Sequence, residues 1–218
     1  MGQYYTPVLI DADGTIRTLY SHDYGNGLKL MEHSYIGNDF VGAVLTQLWE
    51  RPQRLAWIGD YSNDYQGDLY ETKLARNDFM KYYNAAWEDG RDVYRIRPEA
   101  KPVITMRHKN RYLINHTQKA YIRIGEYIAA NKWQEKGAVV RGKYDPFFTY
   151  DMCVHPLPLL TACGNGRGGG DYHSGYPDSD KVGLWAFDLI EAACKQPVGY
   201  KQAAFHFSMQ SDALKSAS

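Results

Sequence analysis

The chain has 218 residues and 25 basic side chains against 25 acidic ones, so its formal net charge is zero. That length suffices to bury a sizeable core in one domain, and the balanced charge creates no overall field to gather nucleic acid or an anionic membrane. Its three cysteines, Cys153, Cys163 and Cys194, contain no C-x-x-C pair, which argues against a disulfide framework and for a reducing compartment.

Taken in chain order, an apolar run over 4–10 and an alternating run over 15–20 flank Asp11-Ala12-Asp13-Gly14. An Asp-Gly between two such runs predicts a hairpin. After the Gly25-Asn26-Gly27 break, His33 falls in a polar turn near Lys29 and Glu32, and a helix is expected from about Asp39, its N-cap. Residues 54–58 read as a buried strand closed by Gly59-Asp60, and 73–87 carry Leu74, Phe79, Tyr82, Tyr83 and Trp87 at helical spacing. Short strands are expected at 103–106, 112–115 and 119–124, the last two forming a hairpin across His116-Thr117-Gln118. A short helix over 124–133 and an isolated strand over 138–140 follow. Residues 157–162 then lead as a strand into a glycine-rich loop, and 182–191 read as a buried strand. The Trp-centred runs 54–60 and 182–188 echo each other weakly. Residues 208–218 are small and polar and read as a flexible tail, leaving 1–207 as one domain. Hairpins and scattered helices without a regular strand-helix-strand beat predict an α+β fold, a single domain of mixed, mainly antiparallel sheet with a few helices.

The segment Gly164-Asn165-Gly166-Arg167-Gly168-Gly169-Gly170-Asp171-Tyr172-His173 is where chemistry is expected. Five glycines cost backbone entropy on ordering. They repay it where bare N–H groups converge on an anion, with the Arg167 guanidinium able to grip phosphate bidentately. Asp171 can accept a sugar hydroxyl, while Tyr172 and His173 can stack on or hydrogen-bond a base. His155, His173 and His33 are each candidates for a general base, with a hydrogen-bonded core or edge histidine as the alternative. Cys153, His155, Cys163 and His173 match no familiar zinc spacing, so no metal cofactor is expected. Nineteen tyrosines suit contact with bases, sugars or protein surfaces. No apolar run approaches the roughly 20 residues that span a bilayer. Neither a leader nor an anchor is read at the N-terminus, so a cytoplasmic protein is expected.

Two resemblances add to this reading. Val8-Leu9-Ile10-Asp11-Ala12-Asp13-Gly14-Thr15 resembles the first motif of the haloacid dehalogenase superfamily, and Gly59-Asp60-Tyr61-Ser62-Asn63-Asp64 resembles its acidic magnesium motif. The resemblance implies a magnesium-dependent phosphohydrolase with Asp11 as nucleophile, Asp13 as acid/base and Asp60 at the metal. The opening Met1-Gly2-Gln3-Tyr4-Tyr5, together with residues 27–34, 57–61, 155–161 and 164–172, resembles an uncharacterised family of bacterial and phage proteins. That likeness implies a bacterial or phage-infected cytoplasm and transfers no reaction. The leading expectation is a binding protein for a phosphorylated, nucleotide-like small molecule, in one version a phage protein that sequesters a host signalling nucleotide. The alternatives are the phosphohydrolase and a protein-binding adaptor with a Tyr-rich surface.

Overall fold

In the computed structural model, which describes residues 3–62, 93–96, 111–140, 142–164 and 178–207, the first hairpin forms β1 (Tyr5–Ile10) and β2 (Ile16–Thr18). Its turn is built from local polar groups. Asp13 accepts the Thr15 N–H at 2.9 Å, and Gly14 takes φ +85°, where a side chain would be strained. On the other side of β1, β3 (Gln53–Gly59) pairs antiparallel from Tyr5 opposite Gly59 to Ile10 opposite Arg54. Leu55, Ala56, Trp57 and Ile58 are all buried, so β3 is covered on both faces, as its near-continuous apolar run requires.

A nine-stranded sheet grows from this pair. Beyond β2 lies β4 (Val93–Arg95), paired in parallel. Beyond β3 come β10 (Leu189–Ala193), β5 (Tyr112–Asn115), β6 (Ala120–Arg123) and the edge strand β11 (Lys201–Gln202), while β9 (Ala162–Cys163) joins β3 in parallel. Most pairings are antiparallel, and among the described residues four α-helices accompany the sheet: α1 (Leu30–His33), α2 (Asp39–Gln47), α3 (Ile124–Asn131) and α4 (Pro156–Leu160). This is the α+β architecture the sequence predicts, including both hairpins and the helix after 124.

The core gathers around α2 and β3. Phe40, Val44, Leu45 and Leu48 recur at helical spacing and are all buried, with the Phe40 ring edge-on to Trp57 at 5.9 Å. The cap of α2 is Asn38 rather than Asp39. Its carboxamide oxygen accepts from the N–H groups of Phe40 and Val41 at 2.9 and 3.3 Å, one residue earlier than expected.

Three expectations are corrected. Residues 157–161 do not form a strand, because Pro156 and Pro158 occupy the first turn of α4, where the missing N–H groups cost nothing, and the expected strand is reduced to β9 at Ala162–Cys163. The run 182–187 turns repeatedly, with Gly183 at φ +84° and Phe187 at φ +62°, before β10 begins at Leu189. It reads as a strand because Val182, Trp185, Ala186 and Phe187 are buried, and a buried turn has the composition of a core strand. The run also breaks the echo with 54–60, which is a true strand. Finally, 138–140 are not isolated. They end β7 (Trp133–Val140), which pairs with β8 (Lys143–Met152) as a separate two-stranded ribbon with a bulge at Gly137. The expected helix at 73–87, strand at 103–106 and tail at 208–218 lie outside the described residues.

Candidate ligand site

Parallel strands end at the same edge, and β3 and β9 are parallel, with Trp57 opposite Ala162 and Ile58 opposite Cys163. Gly59-Asp60 and Gly164, the first residue of the glycine-rich segment, therefore leave the sheet side by side. Both glycines answer to what lies against them. A Cβ on Gly59 would collide with the Gln3 side chain, and one on Gly164 with the Tyr5 hydroxyl. Those two side chains are fully buried and held together, the Tyr5 hydroxyl donating to Gln3 Oε1 at 2.8 Å. The root of the glycine-rich segment is thus packed and positioned.

Asp60 is clasped to the start of the chain. Its Oδ1 accepts the Tyr4 N–H at 3.0 Å, and its own N–H donates to the Tyr4 carbonyl at 3.0 Å. Partial burial pushes the Asp60 carboxyl up from its ordinary value, while the Tyr4 N–H bond pulls it back. Tyr4, which precedes β1, is 43% exposed while its neighbour Tyr5 is buried. Tyr4 is not among the site residues expected from the sequence, where it reads only as part of an apolar run.

Of the residues singled out by sequence, Asn165, Gly166, Arg167, Gly168, Gly169, Gly170, Asp171, Tyr172 and His173 lie outside the described residues. His155 is fully buried and caps α4, its Nδ1 accepting the Leu157 N–H at 3.0 Å, so it belongs to the core and not to the wall of an open pocket. Burial lowers its pKa to about 3 and keeps the imidazole neutral. His33 likewise lies in α1 within the core rather than in a polar turn, fully buried, between the Gly27 carbonyl and the Trp57 indole. Cys153 and Cys163 are buried thiols, Cys153 pushed up to about 12 and Cys163 further. Among the described residues no group of three or more His, Cys, Asp or Glu side chains could hold a metal ion, and no helix is long and apolar enough to cross a membrane.

The acidic set of the phosphohydrolase reading is not brought together. Asp11 follows β1 and Asp60 follows β3, and these strands are antiparallel over the register Tyr5–Gly59 to Ile10–Arg54. At about 3.4 Å per residue the two carboxylates stand roughly 20 Å apart, too far to share one ion. Asp11 is also fully engaged. Arg17 grips it through Nε at 3.0 Å and Nη2 at 3.1 Å, and Arg51 adds a third contact at 3.3 Å. Asp13 is the turn acceptor for Thr15, and that bond holds its carboxyl below the usual range.

The fold and this edge define a mixed α+β protein with a glycine-rich segment rooted beside an acidic residue and an exposed aromatic one. No protein-family model, curated protein or solved structure is significantly similar to the chain.

Proposed function

We propose that the chain binds a small phosphorylated molecule bearing a ring, of nucleotide type, at the edge where β3 and β9 end. The observation that carries this reading is the parallel pairing of Ile58 with Cys163, which sets Asp60 beside Gly164. Three recognition elements then have separate tasks. The glycine-rich segment offers backbone N–H groups and the Arg167 fork to phosphate. The Asp60 carboxylate, which would repel phosphate, accepts from sugar hydroxyls. The exposed Tyr4 ring stacks on the base. Binding alone is enough for such a protein to act. In a bacterial or phage-infected cytoplasm it would sequester a host signalling nucleotide, with no catalytic residue or cofactor needed at this edge. Tyr4→Ala and Asp60→Asn are each expected to weaken affinity for the bound nucleotide by about tenfold or more in calorimetric titration. Unchanged affinity in both variants would overturn the placement of the ligand at this edge.

A specific observation supports a second reading, a protein-docking role. The ribbon of β7 and β8 presents Tyr144 at 68% and Phe147 at 88% exposure, with Phe148 and Tyr150 stacked beside them at 6.3 Å between ring centroids. Aromatic side chains grouped on one exposed ribbon suit a protein partner better than a small ligand.

A further inference from the structure

At the opposite end of β3 from Asp60, one face of β10, β5 and β6 carries a chain of titratable groups. Glu191 lies opposite Ile114, which lies opposite Tyr121, so the three share a face. Tyr200 packs on the Tyr112, Ile114, Tyr121 and Ala193 cluster of that face. Glu191 Oε2 is 2.6 Å from His116 Nε2, and His116 Nδ1 is 2.9 Å from the Tyr200 hydroxyl. A carboxylate can only accept, so Nε2 is the donor in that contact, which leaves Nδ1 facing the phenol hydroxyl as the acceptor a general base must offer. Hydroxyl, imidazole and carboxylate in that order form the arrangement by which a base activates a nucleophile and a third group holds the base.

The His116 and Glu191 side chains are 25% and 16% exposed, so both are sheltered but not sealed from solvent. Three lysines neighbour the site along the chain. Lys119 lies in the turn before β6 and its carbonyl accepts the Lys201 N–H; Lys201 adjoins Tyr200, and Lys195 follows β10. All three lysines are exposed, and among the described residues none is in an ion pair. Exposed lysines at this end of the sheet, able to swing toward an activated phenol, favour an anionic electrophile.

We propose that Tyr200 is the nucleophile of a phosphodiester-cleaving site, with His116 as its general base and Glu191 as the positioning residue that fixes the imidazole. Tyr200 Oη bonds to phosphorus as its proton passes to His116 Nδ1. The phosphorus–oxygen bond to the leaving alcohol breaks, and that oxygen takes the proton from Nδ1. A water deprotonated by the same nitrogen then displaces the phenolate, which recovers the proton, and a phosphomonoester is released. This site is independent of the ligand edge at β3 and β9.

The test uses the full chain with bis(4-nitrophenyl) phosphate, read by nitrophenolate release and by mass spectrometry of the denatured protein. The expected result is turnover with one nitrophenyl phosphate adduct on the Tyr200 peptide. Tyr200→Phe, which keeps the ring packing, should lose the adduct and about 100-fold or more in rate; Glu191→Gln should lose about tenfold and shift the pH profile, with part of the rate restored in Glu191→Asp. No release above buffer by folded wild-type protein would overturn the proposal. So would an adduct on a different residue, or wild-type turnover in Tyr200→Phe. If that variant does not fold, adduct mapping on the wild-type chain decides alone.

Discussion

His33 shows how one buried side chain fixes its own protonation. The Trp57 indole N–H can only donate, so His33 Nε2 accepts it at 3.0 Å, and Nδ1–H donates to the Gly27 carbonyl at 3.1 Å. Protonating Nε2 would place two donors face to face, and burial lowers the pKa from 6.5 to about 4. The unfolded chain therefore takes up a proton as pH falls through 6.5 while the folded chain does not until about 4, so stability drops across that window. His155, lowered to about 3, adds to the same trend. His33→Gln is expected to be less stable at pH 7 yet to show a flatter loss of urea midpoint between pH 6.5 and 4. A slope equal to that of wild type would contradict the neutral core assignment. Two further substitutions test local packing. Gly164→Ala drives a methyl into the Tyr5 hydroxyl and should cost about 1–3 kcal/mol in denaturant unfolding. Asp11→Asn breaks the partly buried grip of Arg17 and should also cost about 1–3 kcal/mol, while leaving nucleotide affinity intact. A phosphohydrolase nucleophile would show the reverse pattern, lost turnover with little change in stability.

The elements most legible in the sequence are those whose signals are local. The Asp13-Gly14 turn, the strand at Trp57 and the hairpin across His116 to Lys119 each join a turn signal to an apolar run, and each forms as expected. What could not be read is set by tertiary contact. Residues 182–187 are apolar because they are covered, not because they extend. The pairing of β3 with β9, which makes the edge proposed to bind a ligand, joins residues about a hundred positions apart and leaves no local trace. The ribbon is a different case. Tyr144, Phe148, Tyr150 and Met152 alternate with Lys143, Asp145, Thr149 and Asp151, but Pro146 and Phe147 interrupt the pattern. A two-stranded ribbon draws little stability from its exposed part, and here the root is held by Trp133, which is buried in the main core. Replacing Tyr144, Phe147 and Phe148 together by Ser should therefore shift the melting temperature by no more than about 2 °C. A large fall would mean that these rings support the fold rather than present a docking surface.

At the scale of the whole molecule, an antiparallel β1–β3 centre separates what parallel strands would unite and unites what the sequence holds apart. It sends Asp11 and Asp60 to opposite ends of the sheet, which removes the acidic cluster of a magnesium phosphohydrolase. The parallel neighbour β9 instead brings the root of the glycine-rich segment to Asp60 and Tyr4. A ligand that bridges that edge binds only the folded chain and so must raise its apparent stability, by about 2.7 kcal/mol at a hundredfold excess over Kd. The most direct measurement is thermal unfolding of the full chain with a panel of linear and cyclic nucleotides, run beside Arg167→Ala, with chromatography of the recovered ligand. The account predicts a rise in melting temperature for at least one nucleotide that is lost in Arg167→Ala, with the nucleotide recovered intact when the separate Tyr200 site is removed in Tyr200→Phe. No rise with any nucleotide, or an equal rise in Arg167→Ala, would contradict it.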